Sequence, residues 1–224
     1  MIKIDNVGKC YIENQIEKWV IRNLNFEIPQ NKFLSVVGRS GSGKTTLLKI
    51  IGGLLTPSEG RVEIMGKDIY TMSPKKMAKF RCNTVGFVFQ DYFLEELYTV
   101  GQNIEIVLMI AEYPKAQRKN AILNALEVVG LRDRYDTIVG KLSGGEKQRV
   151  CIARAIVNNP EIILADEPCG NLDWENGQMI MDMLRAQVDK GRTVVLITHN
   201  LEDAKKTDEI ITLRDGEIIN HEKK

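Results

Sequence analysis

The sequence is poor in several features that would point to other kinds of protein. Its 224 residues carry a net charge of only +1, from 31 basic and 30 acidic side chains. The broad basic face of a nucleic-acid binder is therefore absent. Short basic pairs such as Lys75-Lys76 and Lys205-Lys206 are interrupted and read as solvated faces. Four cysteines, Cys10, Cys82, Cys151 and Cys169, are scattered along the chain. That spacing supports neither a zinc site nor a disulfide framework and fits a reduced, cytosolic compartment. The longest apolar run, from Ile106 to Ala111, falls far short of the ~20 residues of a membrane-spanning helix. The first residues alternate apolar and charged (Ile2, Lys3, Ile4, Asp5), the pattern of a strand and not of a signal peptide. There is no internal repeat, low-complexity tract or interdomain linker. With 43% hydrophobic and 27% charged residues, the chain is globular with a core. Its length suits a single domain over 1–224 with an inserted subdomain.

Strand and helix patterns alternate, which predicts an α/β fold with a largely parallel central sheet. The early part is more antiparallel, with strands expected over 2–7, 20–28 and 61–64 and a turn at Gly66-Lys67. A compact buried strand over 33–37 runs into a glycine-rich loop, and a helix over 44–51 is stopped by Gly52-Gly53. A second buried strand covers 87–90. The stretch of about 91–159 lacks strand character; Ile122, Ala125, Leu126 and Val129 recur at helical spacing before Gly130. It reads as a helical insert. Strands resume over 162–165 and 193–198, and a hairpin closes around Asp215-Gly216.

Three motifs carry chemistry. Gly38-Arg39-Ser40-Gly41-Ser42-Gly43-Lys44-Thr45 satisfies G-x-x-x-x-G-K-[ST]. Its glycines let backbone N–H groups turn inward onto phosphates, the following helix adds its positive end, Lys44 reaches the terminal phosphates and Thr45 offers a hydroxyl to Mg²⁺. Alone, the loop says only that a nucleotide binds. Ile162-Ile163-Leu164-Ala165 is an apolar strand ending in Asp166 and Glu167. An Asp there helps to hold Mg²⁺, and Glu167 is placed to take a proton from an attacking water. Ser143 and Glu146 form a capping box that opens a helix running through Val157. Gly144 and Gly145 in its first turn each cost up to ~1 kcal/mol relative to alanine. That cost suggests a close approach by something anionic, a second phosphate surface.

Leu142-Ser143-Gly144-Gly145-Glu146-Lys147-Gln148-Arg149, taken with the phosphate loop and Ala165-Asp166-Glu167-Pro168, resembles the signature set of ABC-type ATPases, and the resemblance covers the whole chain. It implies a phosphate-loop (RecA-like) core with a mainly parallel central sheet, an antiparallel β subdomain and an inserted α-helical subdomain. It implies an ATPase that works as a homodimer, with ATP and Mg²⁺ in the interface, driving separate transmembrane subunits from the cytoplasmic face of the membrane. Catalysis falls by resemblance to Glu167, His199 and Lys44, and the metal to Thr45, Gln90 and Asp166. The nucleotide set comprises Tyr11, Gly38, Arg39, Ser40, Gly41, Ser42, Gly43, Lys44, Thr45, Thr46, Gln90, Ser143, Gly144, Gly145, Gln148 and Asp173. Within it Tyr11 stacks on adenine, although by itself an aromatic there reads as packing beside a strand. Gln90 senses the membrane partner, and Asn171-Leu172-Asp173 crosses the dimer interface. Trp19 and Trp174 read as surface or packing residues. Cys169 stands where threonine is usual and Asn200 where an acid often follows the histidine; both lie outside the direct chemistry.

The closest resemblance is to ATPases of macrolide and peptide efflux, lipoprotein release and bacterial cell division, which lack an extra regulatory domain after the cassette. Export or mechanotransmission is the leading expectation, and regulation of a cell-division complex without a moved substrate is the alternative. A soluble ABC ATPase would usually carry two cassettes or a long coiled-coil insertion, and a GTPase would need an N-K-x-D motif; the sequence has none of these. Residues 100–111 are apolar on more than one helical face, with Ile104, Val107 and Leu108 on one side and Ile106, Met109 and Ile110 toward others. They either pack within the insert or line a groove for a short helix of the membrane subunit.

Overall fold

The computed structural model describes every residue from 1 to 224. In chain order the elements are β1 (Ile2–Glu13), β2 (Ile16–Ile28), β3 (Phe33–Val37), α1 (Lys44–Ile51), β4 (Glu59–Ile64), β5 (Lys67–Asp68), α2 (Pro74–Thr84) and β6 (Val85–Phe89). Then come α3 (Val100–Ile110), α4 (Lys115–Val128), α5 (Gly144–Ile156), β7 (Ile162–Asp166), α6 (Trp174–Asp189), β8 (Thr193–Thr198), α7 (Leu201–Lys205), β9 (Glu209–Arg214) and β10 (Glu217–Lys223). The chain forms two compact units, one of residues 1–78 with 187–224 and one of residues 79–186. The expected helical stretch of about 91–159 lies wholly in the second, which also holds β6 and β7.

The first unit contains an antiparallel sheet in the order β2-β1-β4-β5. β1 and β2 both extend further than expected, joined by Asn14 and Gln15 at φ of 51° and 64°. This two-residue turn lacks the glycine that usually marks one in sequence. Beside that sheet in the same unit, β9, β3 and β8 run parallel, with β10 antiparallel to β9. All five residues of β3 are buried, as a strand covered on both faces requires. α1 contributes Leu47, Leu48, Ile50 and Ile51 to the core, each fully buried. The one polar residue of β3, Ser35, hydrogen-bonds the Thr207 hydroxyl at 2.9 Å, and Thr207 in turn donates to the Ala204 carbonyl.

In the second unit β6 and β7 pair in parallel, in register from Val85↔Ile162 to Phe89↔Asp166. α5 lies directly against β6. A Cβ on Gly86 would stand 2.4 Å from the Ala155 carbonyl oxygen, so only glycine allows the helix this close. α3 and α4 pack against α5 and each other. α3 buries Val100, Ile104 and Leu108 on the spacing that makes one helical stripe. Its start is fixed by a capping box between Thr99 and Gln102. No helix in the chain is long and apolar enough to cross a membrane.

Asn103 on α3 is 2% exposed and clamps the preceding loop. Its Oδ1 accepts the Glu95 N–H at 2.7 Å, and its Nδ2 donates to the carbonyls of Glu95 and Thr99, both at 3.0 Å. Asn103→Ala removes all three bonds, leaves the Glu95 N–H without its Asn103 partner and opens space at a buried position, at about 1–3 kcal/mol. The expected result is a lower urea midpoint at an unchanged slope.

Candidate functional site

Each unit gathers part of the predicted site at the carboxyl ends of its parallel strands, where open α/β sheets place ligands. In the first unit β3 and β8 pair as far as Val37↔Thr198. The phosphate loop and His199 therefore leave neighbouring strand ends side by side. In the second, the register Phe89↔Asp166 puts Gln90 and Glu167 in the same relation.

The phosphate loop is built around an unfinished helix start. Gly43 occupies the N-cap of α1 at φ 99°, no side chain caps the helix, and its first turn holds no acid. The first N–H groups and the positive end of the helix are thus left for a ligand. Lys44 is buried, and its Nζ donates to the carbonyls of Gly38 at 2.8 Å and Arg39 at 3.0 Å. The loop itself holds the ammonium. A Cβ on Gly38 would fall 2.2 Å from the Leu213 carbonyl oxygen and 2.6 Å from Ser42 Oγ. Ser42 Oγ is buried without a hydrogen-bond partner. Such an orphaned hydroxyl costs stability unless a ligand completes it, and a phosphate oxygen fits that need. Arg39, Ser40, Gly41 and Thr45 form an exposed rim, with Thr46 half-buried behind them.

Tyr11 lies inside β1, opposite Lys18, and not in a connection between strands. Its ring is 40% exposed, and Lys9 Nζ stands 5.2 Å from the ring centroid. One face of the ring thus meets a cation. His199 is exposed just past β8. Asn200 fixes the turn after it: its N–H donates to Thr198 Oγ1 at 3.0 Å, and its Oδ1 accepts the Glu202 N–H at 2.9 Å. The non-acidic residue there serves as a cap.

Asp166 and Glu167 are half-buried. Glu167 has φ +47°, a left-handed conformation that costs a non-glycine residue on the order of 1–3 kcal/mol and clusters at functional sites. Gln90 Nε2 donates to Asn171 Oδ1 at 3.3 Å. Asp173 caps α6: its carboxylate accepts the Asn176 N–H and the Asn176 side-chain amide, both at 2.8 Å. Those two hydrogen bonds hold its pKa below the usual carboxylate value.

The capping box at α5 is present as expected. Glu146 Oε2 accepts the Ser143 N–H at 2.9 Å, and Ser143 Oγ accepts the Glu146 N–H at 3.3 Å. The two glycines differ from one another. A Cβ on Gly145 would stand 2.4 Å from Asn176 Oδ1, so this glycine is demanded by a neighbour within the chain. A Cβ on Gly144 would meet only the Tyr92 hydroxyl, at 3.0 Å, and the tip of Leu172. Only Gly144 keeps room for an approach from outside. Gln148 corrects the expectation of a nucleotide contact. It is fully buried, and its Nε2 donates to the Phe89 carbonyl at 3.4 Å, so it braces the strand that leads to Gln90.

A groove of about 360 Å³ opens beside Gln90, lined by Tyr92, Phe93, Leu94, Val139 and Asn171 among others. Phe93 is 69% exposed and meets Phe89 edge-to-face at 5.4 Å. On α3, Ile106, Met109 and Ile110 are exposed, while Ile104 and Leu108 are buried. The helix therefore packs with one face and presents the other. Tyr92, Arg154 and Asn176 did not stand out in the sequence; of the three, only Asn176 had a local signal, the three-residue spacing from Asp173.

Comparison with known proteins gives a consistent picture. The ABC transporter family profile matches residues 21–170. An uncharacterised ABC transporter ATP-binding protein of Methanocaldococcus jannaschii is 42% identical over 98% of both chains. The macrolide export ATP-binding/permease protein MacB of Brucella melitensis is 40% identical over 98% of this chain, which spans 34% of that longer protein. Among solved structures, a dimeric ATP-binding cassette in a post-hydrolysis state with ADP and Pi superposes with a TM-score of 0.92 at 38% identity, covering 100% of this chain and 98% of the other.

The carboxyl of Glu146 lies below its ordinary range because the Ser143 N–H donates to it; burial opposes this, while the Ser143 hydroxyl and the charges of Arg134 and Arg149 reinforce it. A carboxylate whose pKa is depressed in the folded state stabilises the fold above its unfolded value, near 4.5. That contribution is lost as pH falls through the folded value. Glu146→Gln keeps a capping side chain and removes the charge. Its stability deficit, read by urea unfolding, should be constant above about pH 5.5 and shrink as pH falls below the ordinary glutamate value.

Proposed function

The chain belongs to the ABC transporter family and is an ATPase of that type, and we propose that it hydrolyses ATP at the interface of a homodimer to drive a separate membrane protein. The observation that carries the nucleotide site is the uncapped, acid-free start of α1, with Lys44 held in the loop and Ser42 Oγ left without a partner. Lys44 and the loop N–H groups of one chain would hold the phosphates, and Ser143 and Gly144 of the second chain would close on the same nucleotide. Tyr11 would stack on the base. Glu167 would polarise the attacking water and His199 would position it, so that placement and electrostatics supply most of the catalysis.

Mg²⁺ would supply charge neutralisation on the phosphates, with Thr45, Gln90 and Asp166 as protein contacts. The chain has no cluster of three or more His, Cys, Asp or Glu side chains able to hold a metal alone. This suits a cation bound mainly by substrate phosphates and water.

The membrane partner is best placed on the exposed part of α3 and the groove beside Gln90. Ile106, Met109 and Ile110, at 39%, 56% and 65% exposure, sit beyond the core stripe of their helix. Exposed apolar groups gathered this way mark an interaction surface. Export of the kind named for the MacB relatives supports a peripheral position on the inner face of the membrane. The moved substrate would be a drug, peptide or lipoprotein.

Glu167→Gln should keep ATP binding and slow hydrolysis by roughly 10²–10⁴-fold in single-turnover assays. The same protein should sediment as a monomer without nucleotide and as a dimer with ATP, and Ser143→Arg should abolish that shift. Near-normal cleavage, or dimerisation indifferent to Ser143→Arg, would remove these roles. Ile110→Glu should leave ATP-driven dimerisation intact and abolish stimulation by the membrane subunit in reconstituted vesicles.

A further inference from the structure

α5 grips the loop after Gln90 along one of its faces. Arg154 Nη2 donates to the Tyr92 carbonyl at 2.8 Å, and Nη1 donates to the next carbonyl, that of Phe93, at 2.5 Å. Cys151 Sγ donates to the Tyr92 carbonyl as well, at 3.2 Å. One turn earlier, Lys147 Nζ pairs with Glu96 at 2.8 Å and Gln148 holds Phe89. Residues 147, 148, 151 and 154 share a helical face, so the wall of the groove is fastened to α5 at successive turns.

Tyr92 does more than accept these bonds. Its backbone is held by the third turn of α5, while its hydroxyl lies 3.0 Å from the Cβ position of Gly144 in the first turn. The same side chain lines the groove. Burial, with the neighbouring Cys151, keeps its phenol above the usual pKa, against the pull of Lys147. The hydroxyl is therefore neutral at physiological pH and stands against Gly144 as a compact oxygen.

We propose that Tyr92 is a positioning residue, a strut through which the groove wall sets the first turn of α5 and hence the Gly144 surface offered to the other chain's ATP. The proposal rests on the reading of Ser143 and Gly144 as part of a shared nucleotide site. An occupant that shifts the groove wall moves the Tyr92 ring along α5, and the contact at Gly144 passes that shift on. The coupling is mechanical and local, through one residue whose backbone carbonyl is held by α5 and whose hydroxyl stands 3.0 Å from where a side chain on Gly144 would begin.

A double-mutant cycle in the Glu167→Gln protein tests this, with dimer dissociation constants measured by sedimentation at saturating ATP. Tyr92→Phe withdraws only the hydroxyl and should weaken dimerisation about three- to tenfold. Gly144→Ala should weaken it too, but markedly less when combined with Tyr92→Phe, because the methyl then occupies space the hydroxyl has left. Affinity of the monomer for a fluorescent ATP analogue and the urea midpoint should not change in Tyr92→Phe, which separates positioning from a fold defect. If the Glu167→Gln parent dimerises and the two substitutions combine additively within about twofold, Tyr92 is not the strut. A parent that fails to dimerise with ATP overturns the shared-site reading, and this inference with it.

Discussion

A helix start leaves backbone N–H groups without partners, and both phosphate surfaces proposed for this protein depend on that property. The protein treats the two starts in opposite ways. α1 begins with a glycine, no capping side chain and no acid in its first turn, so no carboxylate there repels an anion. α5 begins with a complete capping box, which uses two N–H groups, those of Ser143 and Glu146, and brings the Glu146 carboxylate to the same turn. An anion is attracted strongly to the first and weakly to the second. The uneven pair suits a site in which one surface binds nucleotide by itself and the other closes only on nucleotide already bound. Two equally strong anion sites would each fill separately and give no reason for chains to associate.

Where local chemistry alone set an element, the sequence was legible. The bounds of β3, α1 and β8 agree with the expectation to the residue, because each is a mainly apolar segment bounded by glycine or polar residues. β6 starts two residues before the expected 87: Val85 and Gly86 belong to it, and Gly86 lets the strand lie against Ala155 of α5. The long β1–β2 ribbon went unread past residue 7 because Tyr11, Ile12 and Ile16 are exposed and alternate with nothing buried. α6 was missed although it buries Ile180, Met181 and Leu184. Asp173, which precedes it, reads in the sequence as the end of the Asn171-Leu172-Asp173 interface loop, and its cap on Asn176 is visible only through the hydrogen bonds.

The candidate site divides similarly. Residue types that carry phosphate chemistry stood out in the sequence, and the loop they form has a glycine N-cap at φ 99° and a Lys44 ammonium held by its own carbonyls. Packing reasons stayed silent. Gly145 looked like a concession to an anion, but Asn176 occupies the space its side chain would need. Gln148 belongs to the most informative motif in the chain, yet it is buried beneath it. A motif records everything a segment must do, and part of what this one must do is hold α5 against β6 and the loop after it.

That double duty bears on how force could leave the site. α5 carries the signature turn at one end and, over its next three turns, the bonds to residues 89–96. A helix of thirteen residues spans roughly 20 Å and bends little over that length. Hydrogen bonds to backbone carbonyls also fix the loop more tightly than contacts between side chains would, because the carbonyl cannot turn away without moving the chain. The exposed apolar residues of α3 lie in the same unit, and α3 packs against α5. A load applied at that surface therefore reaches the signature turn through elements already packed together, with no hinge along α5 itself. Flexibility, if the cycle needs it, must sit outside this helix.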